Sequence, residues 1–506
     1  MNPTHEIALV TRALQHKENT AILSPEGRFT YRDLLDASQQ VAMALLDGKP
    51  DLEETRVAFL VTPGFDYVRL QWGTWRAGGV AVPLCTAHPA PELHYVLEDA
   101  AVDVVVADER YESLIRPLAD ELRIRFLSTA QIPGGSSSPT PRPDFNLPNV
   151  PQHRRAMIVY TSGTTSRPKG VVSTHGNIRA QIEALITAWG WRSTDHILNV
   201  LPLHHIHGII NVVSCALWSG ATCEMAPRFD AATVWRTFER GDLTLFMAVP
   251  TVYSRLTSAW KSADTDQRSA WSEACSKLRL MVSGSAALPV HVLETWREIT
   301  GHVLLERYGM TEIGMGLSNP LEGERVPGHV GRPLPTVEIR LVDENGPVTV
   351  DGLPGEIQVR GPSVFSEYWR RPEATREAFE DGWFRTGDVA VVEGDIYRIL
   401  GRHSVDIITT GGYKVSALEI EEVLRTHEDI EECAVVGRPD DDWGERVAAA
   451  IVPTDGRPLT LEQLRVWAKE RLAAYKVPTE LLLLDTLPRN ALGKVTKPAV
   501  IKRFDE

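Results

Sequence analysis

The chain has 506 residues, 43% apolar and 24% charged, an ordinary globular balance long enough for more than one domain, which excludes a disordered or fibrous chain. A formal charge of −14 speaks against a nucleic-acid-binding surface and against a polybasic membrane patch, while local basic sites can still hold small anions. Cys85, Cys215, Cys223, Cys275 and Cys433 are odd in number and lack C-x-x-C spacing, so reduced thiols in a cytosol-like compartment are expected.

The first residues, Met1 to Glu6, carry no charged leader before an apolar core, and no run approaches the length of a membrane span. A soluble chain without integral membrane contact is expected, cytoplasmic or, if a transit peptide has been removed, in an organelle matrix. Phe29 to Leu35 opens an amphipathic helix that continues through Val41 and Leu45, and Val57–Val61 reads as a strand. Trp75–Leu84 repeats the order helix end, glycine, strand, and Val102–Ala107 is a further buried strand, so an α/β layer is expected. Residues 132–151 are rich in Pro, Gly and Ser and read as an exposed connection.

That connection leads to the apolar strand Met157-Ile158-Val159 and then to the loop Tyr160 to Gly170, whose hydroxyl and glycine residues can turn backbone N–H groups toward an anion. Lys169 adds the positive charge a polyphosphate needs, and Pro168 keeps a regular helix out of the loop. A Walker A loop is excluded, because Lys169 precedes Gly170 and Val171 follows. On composition alone, a surface turn is the competing reading.

Further on, alternation along an extended Leu201–Gly208 would set His205 and His207 on one side, within reach of one carboxylate or one metal. No third metal ligand lies nearby, and histidines hydrogen-bonded in a packed wall are the alternative. Met281–Leu288 reads as a strand ending in a small-residue turn, where a flat purine can approach backbone. A strand at Val303–Leu305 precedes Glu306–Glu312, in which Tyr308 offers a ring face for adenine, Thr311 a hydroxyl for phosphate and Glu312 a hard oxygen for Mg²⁺.

In Gly382–Asp388 the last residue supplies a carboxylate suited to two ribose hydroxyls, although an isolated Thr-Gly-Asp is more often a turn. Composition changes near residue 403, and a small α+β domain of about a hundred residues is expected beyond it. Ser416 with Glu419, and Thr460 with Gln463, have capping-box spacing, the second before a helix with Leu464, Trp467, Ala468 and Leu472 on its apolar side. Ala434–Val436 reads as a strand. The chain closes on Pro488–Lys497, where a lysine beside glycine, Lys494, is by itself an ordinary solvated charge.

Taken together, these stretches resemble the adenylate-forming superfamily of acyl-CoA synthetases, adenylation domains and luciferases, over nearly the whole chain. Within it the chain is most similar to the malonyl-CoA synthetases, through His205-Ile-His207, Arg307–Met315 with Ser318-Asn-Pro320, Arg325–Gly328, and Gly401–Asp406 through Gly412–Glu419. The resemblance implies a large α/β N-terminal domain, 1–402, that binds ATP and the acyl group. It also implies a small mobile α+β domain, 403–506, that carries the adenylation lysine, Lys494. Where many relatives have Gly-Arg, one residue, then Lys-Asp or two acidic residues, this chain has one residue more and no lysine, so the hinge falls among Ser404, Val405 and Asp406.

By the same resemblance Thr161, Ser162, Gly163, Thr164, Thr165 and Lys169 hold the ATP phosphates. Ser285, Ala286, Arg307, Tyr308, Gly309 and Thr311 line the nucleotide, and Asp388 with Arg402 holds the nucleoside. Mg²⁺ falls to Glu312 with Thr161, and Lys494, Thr311, Glu312 and His205 are the candidate catalytic residues. His205, His207, Ser285, Met310, Met315 and Arg325 shape the acyl pocket, and Gly411, Gly412 and Tyr413 line the path of CoA.

The expected reaction joins malonate or a related dicarboxylate to AMP and then to CoA, with methylmalonate a further candidate. A second carboxylate costs several kcal/mol to desolvate unless a fixed cation meets it. Arg325 is the candidate cation, against a surface arginine in the turn Glu322–Arg325, and Arg325→Ala is expected to raise malonate KM while ATP binding persists. The alternatives are a synthetase for another short or medium acid, an adenylation enzyme loading a carrier protein, and a nucleotide sensor without catalysis. The joint presence of Lys494, Glu312 and Asp388 counts against the sensor.

Overall fold

A computed structural model describes residues 7–134, 146–161, 167–411, 413–440, 442–454, 459–489 and 494–506. Its contacts divide the chain into two compact units: Met1–Arg325 with Pro333–Glu338 and Arg360–Glu377, and Val326–Arg332 with Ile339–Val359 and Ala378–Glu506. Residues 378–402 thus pack with the C-terminal region, and the compact units do not part at 402/403.

In the first unit one sheet runs in the order Glu367–Tyr368, Lys169–Thr174, Arg155–Thr161, Val80–Pro83, Arg56–Leu60, Val104–Ala107, Arg125–Ser128. Its inner strands are parallel and continuously apolar because helices return the chain between them and both faces are covered. The helix Tyr31–Leu46 starts on a complete capping box, Thr30 with Asp33, and buries Leu34, Leu35, Val41 and Leu45. It lies close against the helix Phe65–Arg76 because Gly73 leaves room: a Cβ there would lie 2.3 Å from Val41 Cγ1.

Arg155–Thr161 pairs antiparallel with Lys169–Thr174, with Thr161 opposite Lys169, so these two strands flank the phosphate loop in the sequence. A second sheet of this unit contains, in order, Gly314–Ser318, Leu305–Met310, Leu280–Ser283, Leu245–Ala248, His196–Asn199, Thr222–Met225, Thr20–Ser24 and Gly27–Thr30. Glu306–Met310 lies within a strand, whereas the sequence suggested a loop after Val303–Leu305. The strand folds back antiparallel at Met310↔Gly314, and Gly309 is required there, since a Cβ would sit 2.1 Å from the Gly314 carbonyl oxygen. Beneath this sheet Trp235 stacks on Trp271 and Trp296, with ring centroids 5.0 and 5.7 Å away.

In the second unit, Trp383–Glu393 pairs with Gly355–Arg360 and Ile396–Arg402. A separate sheet joins Tyr413–Ser416, Ile407–Thr410, Gly444–Pro453 and Ile430–Asp440, packed by the helices Ala417–Leu424 and Leu461–Lys469. The Thr460–Gln463 capping box is complete. Ser416 also caps its helix through the Glu419 N–H, but the Glu419 carboxylate pairs with Lys476 at 2.5 Å. Leu464 and Ala468 are buried on the second helix, and Leu472 is buried beyond its end. All five cysteines are buried and unbridged.

Candidate active site

Parallel sheets present the C-terminal ends of their strands as a natural crevice for ligands. In the first unit, Leu280–Ser283 ends in Gly284-Ser285-Ala286, and the neighbouring strand brings Arg307 and Tyr308 beside it. Ser285 holds a left-handed backbone, φ +71°, a conformation that costs a non-glycine residue about 1–3 kcal/mol and recurs at functional positions. Arg307 Nη2 donates to Ser285 Oγ at 3.3 Å, and that Oγ lies 3.1 Å from His207 Nδ1.

His207 is buried and its pKa is held well below the ordinary value by desolvation, reinforced by the charges of Arg307 and His205. His205 is lowered to about 4, again chiefly by burial, and His204 well below its ordinary value for the same reason. These imidazoles are neutral at physiological pH, and the positive charge among them belongs to Arg307. Burial lowers the Arg307 pKa to about 9 against the pull of Glu306, so the guanidinium stays charged at neutral pH. Its Nε, together with His207 Nε2 and His205 Nε2, is buried without a hydrogen-bond partner among the described residues. A buried cation with an unsatisfied N–H, set beside neutral imidazoles, can receive a small anion.

Gly284 makes this arrangement possible, since a Cβ there would stand 2.6 Å from both Cζ and Nε of Arg307. The extended alternation assumed for His205 and His207 does not hold. The chain turns at Leu203–His205 and a π-helical segment begins at His207, so the ring of His207 reaches Ser285 from a helix start. Arg325 is also reassigned: its Nε, Nη1 and Nη2 donate to the carbonyls of Pro320, Val303 and Leu321 at 3.0, 2.5 and 2.7 Å. It ties a surface turn to the strand entry, a structural task that a sequence motif does not distinguish from anion binding.

The hairpin Leu305–Ser318 carries Met310, Thr311, Glu312 and Met315. Glu312 is buried, and its Oε1 accepts from the Tyr368 hydroxyl at 3.0 Å, while its carbonyl accepts the Phe365 N–H at 2.7 Å. Lys169 Nζ lies 4.9 Å from the centroid of the same Tyr368 ring, and Tyr368 pairs with Val171 next to the phosphate hairpin. Tyr368, which the sequence reading did not single out, thus joins Glu312 to Lys169. Thr161 ends the incoming strand; Ser162, Gly163, Thr164 and Thr165 lie outside the described residues. Among the described residues no group of three or more His, Cys, Asp or Glu could hold a metal ion.

In the second unit Arg402 Nε donates to Asp388 Oδ1 at 3.0 Å and Nη2 to the Thr386 carbonyl at 3.2 Å. Asp388 lies inside the strand Trp383–Glu393 and accepts from Arg402 across the ladder, where the two residues face each other. Gly411 has φ +55° and could carry no side chain, because a Cβ would lie 2.7 Å from Trp443. Tyr413 is exposed and stacks on Tyr475 at 4.5 Å, Gly412 is outside the described residues, and Lys494 is exposed.

The family model described as AMP-binding enzyme matches residues 9–369, and that of the AMP-binding enzyme C-terminal domain matches residues 419–494. The chain is 46% identical to malonate–CoA ligase ACSF3, mitochondrial, of Xenopus laevis, over 99% of this chain and 92% of that protein. It is 41% identical to the malonate–CoA ligase of Arabidopsis thaliana, over 91% and 79%. The crystal structure of ATP-bound MatB from Rhodopseudomonas palustris superposes with a TM-score of 0.89 at 32% identity, covering 99% of both chains.

Proposed function

The chain belongs to the AMP-binding enzyme family, and from that premise we propose that it is an ATP-dependent malonate–CoA ligase, turning malonate, ATP and CoA into malonyl-CoA, AMP and pyrophosphate. The observation that carries the choice of acid is the buried Arg307–Ser285–His207 group. A monocarboxylate would leave that cation without an anion at its unsatisfied Nε, whereas the second carboxylate of malonate meets it.

One malonate carboxylate rests on Arg307. An oxygen of the other attacks the α-phosphorus of ATP, and the bond from that phosphorus to the bridging oxygen of pyrophosphate breaks. The CoA sulfur then attacks the acyl carbon, giving up its proton, and the carbon–oxygen bond to AMP breaks. No covalent bond to the protein forms, so the side chains act by positioning and charge. Lys169 and the residues from Thr161 to Thr165 hold phosphate oxygens, Tyr308 faces adenine, and Asp388 with Arg402 holds the ribose. Lys494 offsets charge on the carboxylate and α-phosphate, and Gly411, Gly412 and Tyr413 line the approach of CoA. Mg²⁺ supplies charge neutralisation on the phosphates, and Glu312, with one oxygen fixed by Tyr368, is the residue suited to hold it. The mobile part begins at 403 in this reading.

Methylmalonate is a second substrate candidate, since one methyl group is worth only about 1–3 kcal/mol in a pocket. No helix among the described residues is long and apolar enough to cross a membrane, and five free thiols suit a reducing compartment, cytoplasm or organelle matrix. The test is mass spectrometry of thioesters formed from mixed mono- and dicarboxylic acids with ATP, Mg²⁺ and CoA. Malonyl-CoA should dominate. Equal yields from acetate or propionate would remove the dicarboxylate reading, and pyrophosphate release without any CoA thioester would favour loading of a carrier protein.

A further inference from the structure

Lys497 opens the helix Lys497–Arg503, the end at which the backbone dipole disfavours a cation, and its side chain is only 10% exposed. A lysine buried in such a place requires anionic partners, and it has two. Its Nζ lies 2.6 Å from Asp406 Oδ1 and 2.8 Å from Glu421 Oε1, carboxylates 16% and 4% exposed. Burial pulls the Lys497 pKa down, but Glu421 and Asp406 outweigh it and raise it. Glu421 is itself fixed, its Oε2 taking Arg425 at 2.9 Å and its Oε1 the Val435 N–H at 2.8 Å.

Asp406 is held just as firmly. Its Oδ2 accepts the Arg402 N–H at 2.9 Å, its own N–H donates to the Arg402 carbonyl at 2.8 Å, and its carbonyl accepts the Ala417 N–H at 2.7 Å. Gly401 permits the approach, for a Cβ there would come within 2.3 Å of Asp406 Cβ. On the other side of Lys497, the Thr496 N–H donates to the Pro488 carbonyl at 2.9 Å and Arg489 pairs with Val495, closing the limbs beside Lys494. The incoming limb is tied down by Arg489 on Glu432 at 2.5 Å, and the outgoing limb by Lys497. Lys494 stands exposed three positions before that anchor.

We propose that Lys497 is a positioning residue for Lys494: its ion pairs with Asp406 and Glu421 fix the outgoing limb, so the Lys494 ammonium reaches the reacting carboxylate during adenylation. The inference rests on the reading of Lys494 as the adenylation lysine. It predicts a split between the two half-reactions, which a purely structural lysine would not produce. Replacing Lys497 should depress adenylation by roughly a hundredfold, the size a displacement of about 1 Å produces, and leave transfer of a preformed acyl group to CoA intact.

The experiment measures malonate-dependent pyrophosphate release, and separately CoA thioester formation from synthetic malonyl-adenylate, for Lys494→Ala, Lys497→Met and Lys497→Arg. Both Lys494→Ala and Lys497→Met should lose the first activity and keep the second, and Lys497→Arg should restore the first. If Lys497→Met lowers both activities together, or lowers neither, while Lys494→Ala abolishes adenylation alone, the positioning role is wrong. If Lys494→Ala spares adenylation, the reading of Lys494 fails and takes the inference with it. Should Lys497→Met not fold, Glu421→Gln removes one of the two negative charges facing Lys497 more gently, and unchanged adenylation in that variant overturns the proposal equally.

Discussion

Arg307 shows how a single residue's surroundings decide its task. A guanidinium this buried, with neutral histidines beside it and an unsatisfied Nε, costs stability in the free protein and recovers it when an anion arrives. Arg307→Ala should therefore lower kcat/KM for malonate by at least about a hundredfold, some 3 kcal/mol, with ATP binding retained, as steady-state kinetics and calorimetry would check. Arg325→Ala, in contrast, removes hydrogen bonds to the carbonyls of Pro320, Val303 and Leu321, so its expected effect is a lower melting temperature and unchanged malonate KM. A malonate defect in soluble Arg325→Ala would return that residue to the pocket. Gly284→Ala drives a methyl group against the Arg307 guanidinium and should weaken malonate more than ATP in the same assays. The motif around Arg307 was legible in the sequence. Its burial beside neutral histidines was not, because that depends on how the fold packs around it, and Gly284 is one small residue in a small-residue turn.

At the scale of elements, long apolar runs were readable and short returns were not. Val57–Val61, Val102–Ala107 and Met157–Val159 all fall on or within two residues of observed strands, since burial on both faces demands continuous β-branched and apolar residues. Lys169 and Gly170, which open the strand Lys169–Thr174, and the strand carrying Glu306–Met310 were read as loops, because glycine and hydroxyl residues look alike in a turn and beside one. Glu367–Tyr368 is two residues long, too short for any period, and its partner strand lies far back in the chain. That brief strand nevertheless orients Glu312. Tyr368→Phe should raise the Mg²⁺ concentration needed for half-maximal pyrophosphate release by about ten- to a hundredfold, because losing a hydrogen bond to a carboxylate costs about 1.5–3 kcal/mol, and leave malonate KM alone. A Mg²⁺ titration unaffected by the change would separate Tyr368 from the metal.

For the molecule as a whole, buried neutral histidines set the acid limit. His175 is lowered to about 3 by burial, with Arg154 adding to the effect, and His205 to about 4. Both start from an ordinary value of 6.5, so between pH 6.5 and these values the unfolded chain binds protons that the folded chain refuses. The stability they contribute is complete above pH 6.5 and is lost as pH falls through their folded values. Melting temperatures should therefore drop from pH 7 toward pH 4. His175→Phe should flatten that profile, since among the described residues His175 Nε2 has no hydrogen-bond partner to lose and its ring packs edge-on to Trp75. A profile as steep as before would place the acid sensitivity elsewhere.

The buried thiols supply a clock. An alkylating reagent has nothing to meet until the packing around a cysteine opens, so its rate of uptake measures opening itself. Cys85, Cys215, Cys223 and Cys275 lie in the first compact unit and Cys433 in the second. Isotope-coded labelling, followed peptide by peptide, would then time each unit's breathing separately within one undivided sample.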